Sequence, residues 1–226
     1  MALNLATASD YLVRTTGLVN CTTGPSTTML WVKQATTAAG YRTFWMQLDA
    51  PGTYLDWCGV FGHGTLGHDV YGSCATGGVA VETTPTIRTL DTWNHVTIIR
   101  SAASSTLILI SGKQQGAIVK DLTAATLAQE YLGNDTFSEG NVAIAYARQW
   151  SAELSLDEVA IEMQATSAVR TANLWGDWPF TSTILDTSGN GRNWTQVGSA
   201  TFVAGPSFPG NNSAATATAL TSPAGQ

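Results

Sequence analysis

Eight short runs rich in apolar and β-branched residues, at 27–34, 42–48, 54–60, 78–82, 93–100, 107–111, 129–132 and 142–149, restrict this chain more than any other feature. The connectors between them are rich in Gly, Ser, Thr, Asn and Pro, which supply positive φ, fixed φ or local side-chain hydrogen bonds. Runs this short, bounded by turn signals, read as strands at the rhythm of a sandwich or barrel. Composition agrees: 33 Thr and 22 Gly stand against 12 % charged residues, which favours strands and turns over long helices. A chain of 226 residues with 44 % apolar content can bury a real core and is not a disordered one. We therefore expect an all-β fold.

Residues 93–115 hold the most legible hairpin. Val96, Ile98, Leu107 and Leu109 alternate with Thr97, Ile99, Ile108 and Ile110 on two runs joined by SAASS. Both faces are largely apolar, which predicts a central position, and Ser111-Gly112-Lys113 then makes a turn. One helix is predicted at 155–164, where Leu156, Val159, Ala160 and Met163 share a face. Ser155 and Glu158 fit a capping box, and Asp157 adds charge suited to the positive helix end. The densest carboxylates, Asp157, Glu158 and Glu162, read as caps and solvated surface. Residues 1–205 read as one domain and 206–226 as a polar, small-residue C-terminal arm. No repeat of 20 to 50 residues is visible, which disfavours solenoids and propellers.

The net charge of −6, with three Lys and seven Arg that form no cluster, offers no basic stripe for phosphates, so no nucleic-acid partner is expected. No apolar stretch approaches the roughly 20 residues of a membrane helix, and no membrane insertion is expected. The opening MALNLATASDYLVR has no basic n-region and meets Asp10 early, so a classical export signal is not expected. Cys21, Cys58 and Cys74 show no CxxC or Cys/His ligand spacing and read as reduced, partly buried thiols, with a Cys58–Cys74 bridge left open.

In order along the chain come MLWVK at 29–33, TWNHVT at 92–97, STLILISGK at 105–113, YLGN at 131–134, GNVAIAYA at 140–147 and LSLDEV at 154–159. Over residues 25–165 this series resembles the laminin-G-like members of the concanavalin A-like lectin/glucanase superfamily. The resemblance implies a jelly-roll sandwich of two antiparallel sheets. It also implies that the strands at 93–96 and 107–110 are neighbours and that the helix after Leu154 covers an end of the sandwich. The run DTSGNG at 186–191 resembles a turn that normally opens such a module. Its late position fits final strands that complete the same sandwich, a circularly shifted order, or a truncated second module.

The chemistry legible in the residues is sparse. Glucanases of that superfamily share an ExDxxE strand motif that sets paired carboxylates on one face, and this chain has none. The run GHGTLG at 62–67 matches GxGxxG without the helix or the later acidic residue that dinucleotide binding needs, so it reads as a loop. His63, His68 and Asp69 lack a third strong ligand at a recognisable spacing, and His95 reads as packed or hydrogen-bonded within its strand. Asp186, Ser188, Asn190 and Gly191 mimic half an EF-hand, but position twelve would be Val197, which makes a tight turn the better reading. The loop NDTFSE at 134–139 offers Asp135 and Glu139 where some laminin-G-like domains hold calcium, yet neither matches a family ligand motif. The NxS/T triplets at Asn20, Asn134, Asn193 and Asn211 are expected by chance in a Thr-rich chain. No catalytic residue, metal or cofactor is predicted.

Aromatic faces stack on sugar C–H surfaces or anchor interfaces. The predicted ligand-binding residues are therefore Trp45, Tyr54 and Trp57, which are close in sequence, together with Asp135. A lectin-like sandwich without a catalytic constellation predicts a binding or structural protein. The expected setting is a phage virion, assembled in the host cytoplasm. There the chain would decorate or attach, docking on other virion subunits or on copies of itself as a homo-oligomer, and it would contact host glycans. The rivals are a divergent glycan-cleaving enzyme of the same superfamily and a carbohydrate-binding module of a cell-surface protein.

Overall fold

Strands form at all eight predicted runs. The computed structural model describes residues 1–7, 9–19, 24–34, 41–50, 53–63, 69–74, 80–82, 91–102, 105–118, 128–134 and 141–208, with only the backbone at 41, 49–50, 53–63, 69–74, 80–82, 102 and 116–118. In chain order the elements are β1 (Ala2–Leu5), β2 (Tyr11–Arg14), β3 (Ser26–Gln34), β4 (Tyr41–Ala50), β5 (Thr53–His63), β6 (Asp69–Cys74), β7 (Ala80–Glu82), β8 (Asn94–Ala102), β9 (Ser105–Ile110) and β10 (Lys113–Ile118). They continue with β11 (Gln129–Leu132), β12 (Val142–Trp150), α1 (Leu156–Glu162), β13 (Leu174–Trp178), β14 (Thr195–Val197) and β15 (Thr201–Val203).

These strands make an all-β jelly-roll sandwich. The first sheet runs β10-β9-β8-β3-β12-β1-β15, with β13 also on β12, and the second runs β14-β2-β11-β4-β5-β6-β7. The three late strands complete the same two sheets: β13 pairs with β12, β14 with β2, and β15 with β1, all antiparallel. A truncated second module is thereby removed as an explanation of the late DTSGNG turn. On β12 the neighbour changes from β1, opposite 142–144, to β13, opposite 147–150, and a bulge between Ala145 and Arg148 marks the change. Tyr146 in that bulge has φ of 48°, the kind of local reversal by which a bulge re-aims side chains.

Alternation fills the space between the sheets. Leu30, Val32, Val96, Ile98, Ile108, Ile110, Val142 and Ile144 of the first sheet meet Leu12, Phe44, Trp45 and Leu132 of the second in one buried cluster. The 93–115 hairpin is internal, as predicted, with Val96 opposite Ile110 and Ile98 opposite Ile108. Its second apolar face has a separate cover: Met29, Ile99, Leu109 and Trp150 pack against Leu154 and Val159 at the start of the α1 segment. Ser111 and Gly112 both take positive φ in the turn to β10, as a two-residue hairpin loop requires.

The capping box forms, with the Ser155 hydroxyl accepting from the Glu158 N–H and the Glu158 carboxylate accepting from the Ser155 N–H. The predicted buried face needs correction. Leu156 and Ala160 are exposed, and Glu162, expected on the solvated side, is buried. The cause is Arg148, whose guanidinium emerges beneath the helix and donates to Glu162 at 3.2 Å and Asp177 at 3.0 Å. A charge covered by protein must be paired, so the helix turns a carboxylate inward rather than a leucine.

Candidate functional site

At the end of the first sheet where β3 stops and β8 and β12 begin, register aligns Asn4, Ala143 and Lys33 in one row across the outer face. Asp91 and Asn141 stand at the rim in the left-handed region, with φ of 56° and 83°, where Asp and Asn are tolerated better than most residues. Each is fixed by its backbone: the Asp91 N–H donates to the Gln34 carbonyl at 2.9 Å and the Asn141 N–H to the Leu5 carbonyl at 2.7 Å. Together with Ala143 and Val203 these residues line a cleft of about 250 Å³. Half-buried Trp93 adjoins it, its ring centroid 5.9 Å from the Lys33 ammonium. The Asn94 side chain, bonded to the Thr92 carbonyl at 3.0 Å, steadies the turn that presents Trp93.

Chemically the cleft joins two carboxamides, a carboxylate and an ammonium around a small apolar floor. Carboxamides both donate and accept, a carboxylate accepts and an ammonium donates, which suits a ligand crowded with hydroxyls. Ala143, Val203 and the nearby indole suit the C–H faces of such a ligand.

The described carboxylates elsewhere mostly serve the framework. Glu130 lies between the sheets, accepts from Arg14 through both Nε (3.0 Å) and Nη2, and also takes the Trp45 indole N–H and the Gln47 and Gln149 amides. The Arg14 guanidinium also packs on the rings of Trp178 and Trp194, at 4.7 and 4.8 Å from their centroids, where the two indoles meet edge-to-face at 5.5 Å. Asp186 accepts the backbone N–H groups of Asp177, Ser188 and Arg192 at 2.9 to 3.0 Å. Burial raises its pKa, but those hydrogen bonds outweigh burial and hold it below the usual carboxylate value. It is the nucleus of a turn, as the sequence predicts, with its oxygens taken by amides. Among the described residues no group of three His, Cys, Asp or Glu side chains is placed to hold a metal ion.

Of the predicted ligand residues, Trp45 is 2 % exposed in the core, with its N–H on Glu130, so it cannot stack on a sugar. The β4 bulge between Thr43 and Trp45 puts Phe44 and Trp45 into the same core cluster. Tyr54 and Trp57 lie on β5 between β4 and β6, and their side chains are outside the described residues, as is Asp135. Of the described residues that flank 135–140, Asn141 lines the cleft and Asn134, after β11, is buried. The GHGTLG run joins two antiparallel strands, β5 and β6, not the strand and helix of a dinucleotide fold, and residues 64–68 within it lie outside the described residues. Cys58 pairs with Ser73 and Cys74 with Trp57, so the two cysteines are not cross-strand partners. His95 is buried, bonds Thr97 Oγ1 at 3.2 Å and meets the Trp31 ring at 5.2 Å. The cleft residues Asn4, Lys33, Asp91 and Asn141 escaped sequence reasoning, because only strand register brings them together. The one local signal was polar Asp and Asn beside strand ends.

No protein-family model matches the chain, and no curated protein matches it. Among solved structures it is similar to a putative carbohydrate-binding protein of Bacteroides ovatus, with 16 % identity and TM-score 0.61 over 91 % of this chain and 60 % of that one. It is also similar to the sialidase CBM40 of Ruminococcus gnavus bound to α2,3-sialyllactose, at 10 % identity, TM-score 0.54, 71 % of this chain and 96 % of that one. A third is domain 4 of AbnA, a GH43 extracellular arabinanase of Geobacillus stearothermophilus, in complex with arabinotriose. There identity is 17 % and TM-score 0.50, over 66 % of this chain and 69 % of that one. At these identities the likeness is one of fold: a two-sheet β-sandwich of the kind found in carbohydrate-binding domains.

Proposed function

We propose that the chain is a non-catalytic glycan-binding β-sandwich whose site is the outer-face cleft of the first sheet. The observation that carries this reading is the cleft's composition: Asn4, Lys33, Asp91 and Asn141 around an Ala143/Val203 floor, in a volume suited to a single sugar ring. The sandwich neighbours from Bacteroides, Ruminococcus and Geobacillus support it as a class. The framework roles of Glu130, Glu162, Asp177 and Asp186 favour binding over cleavage, since glycoside hydrolysis needs two carboxyl groups facing one groove. In its finer form the proposal places the module on a virion as a decoration or attachment protein that docks on other subunits. Low charge and the small-residue composition after residue 206 support that setting, and a cell-surface module shares the same site chemistry.

A printed glycan array tests the reading. The wild type retains at least one glycan and releases no reducing ends from it, while Lys33→Met and Asp91→Asn each weaken binding about tenfold, the equivalent of one charged hydrogen bond. Asn is chosen at 91 because it tolerates the positive φ there. Undiminished binding by both variants contradicts the site, and measurable hydrolysis contradicts the non-catalytic assignment. Co-sedimentation with phage particles tests the finer form, which a monomer without affinity for them contradicts.

A further inference from the structure

Beside the cleft the same sheet face carries an aromatic row, and the chain's own C-terminal segment sits on it. The cleft row of Asn4, Ala143 and Lys33 is followed by Ala2, Ala145 and Trp31, two residues along each strand, a step of roughly 7 Å. Phe208 rests there, its ring edge-to-face with Trp31 at 5.6 Å and with Tyr146 at 5.1 Å. The two rows are continuous: Val203 lines the cleft and also packs on the aromatic cluster, as Trp93 packs on it and adjoins Lys33. Between β15 and Phe208 the chain lies so close to the N-terminus that a Cβ on Gly205 would come 2.5 Å from the Met1 carbonyl oxygen.

We propose that this aromatic row is the second subsite of the glycan site, and that Phe208 occupies it as a displaceable stand-in for a sugar ring. The inference rests on the reading of the cleft given above and names its ligand class: an oligosaccharide of two or more residues. One residue sits among Asn4, Lys33, Asp91 and Asn141, and the next takes the face of Trp31 and Tyr146 once Phe208 leaves. Aromatic rings and sugar C–H faces compete for the same apolar platform, so the site is closed by its own chain until a ligand long enough to span both rows arrives. Among the described residues the plug is held by its contacts with Trp31 and Tyr146, by the approach of Gly205 to Met1 and by β15, a three-residue strand on β1.

The test compares wild type, Phe208→Ala and Gly205→Ala on an array of mono-, di- and trisaccharides of the pentose, hexose and sialic acid series, with titration calorimetry of those retained. Gly205→Ala keeps the Phe208 ring but lifts the segment away from Met1, which guards against a Phe208→Ala protein that fails to fold. Both variants bind the di- or trisaccharide about tenfold tighter than wild type, the factor by which a plug closed ten to one lowers apparent affinity, and leave monosaccharide affinity unchanged. Wild type saturated with the trisaccharide exchanges its amide hydrogens faster at 204–208. Affinities indifferent to both substitutions, or raised equally for every ligand length, overturn the plug and leave the cleft standing. An array on which neither the wild type nor a variant retains any glycan overturns the cleft reading, and the plug with it.

Discussion

His95 lies on the covered outer face of the first sheet, between the Trp31 ring and Thr97, with Arg148 nearby. Burial, reinforced by the Arg148 charge, pushes its pKa down from 6.5 to about 3. Between those two values the unfolded chain takes up a proton that the folded chain refuses, so stability falls as the pH drops below 6.5. Replacing the ring with a neutral amide removes that penalty. Urea unfolding of wild type and His95→Gln at pH 7 and pH 4.5 is expected to show the wild type losing more stability on acidification. Equal losses contradict the assignment. Asp10, Asp186 and Glu158 are also held below their ordinary values and lose their contributions as the pH falls toward and below 4.5, but equally in both proteins, so the difference between wild type and His95→Gln reports the histidine. Trp45 supplies a second check. Its truncation to Ala opens the core and strips a donor from buried Glu130, costing about 3–5 kcal/mol of stability. Denaturant unfolding that shows a loss under 1 kcal/mol contradicts a core position for the indole.

Elements were legible where alternation was strong: four-residue β11 was read from the sequence, while six-residue β6 and β10, broken by glycine and polar residues, were not. The β3, β8, β9 and β12 strands of six to nine residues carry enough period-two signal to be read directly, and the Ser155/Glu158 box marks the helix start to the residue. Strands β1, β2, β13, β14 and β15, of three to five residues, are too short for alternation to stand out from a loop. They matter all the same, because β1 and β15 build one wall of the cleft. The facing of α1 was not legible either, since its buried stripe answers to Arg148 on a strand whose outer cover the sequence does not announce. Nor was the site. Asn4, Lys33, Asp91 and Asn141 are spread over nearly 140 residues and share no motif. They converge because antiparallel register stacks β1, β12 and β3 side by side and two residues with positive φ close the rim.

At the scale of the molecule, the two faces of the first sheet divide the labour. The inner face packs on the second sheet and buries the Arg14–Glu130 pair of neighbouring strands β2 and β11, which Gln149 of β12 links to the first sheet. The outer face is covered at one end by α1 and at the other by Phe208, leaving the cleft between strand ends as a polar recess on that face. The proposed site lies at the rim of a rigid scaffold, where loops and strand ends meet solvent. The most direct measurement is an NMR titration of the isotope-labelled protein with the glycan it retains on the array. The account predicts shifts concentrated at the amides of Asn4, Lys33, Asp91 and Asn141 and at the Trp93 indole. Shifts confined to β4 through β7 of the second sheet, with the cleft silent, would contradict it.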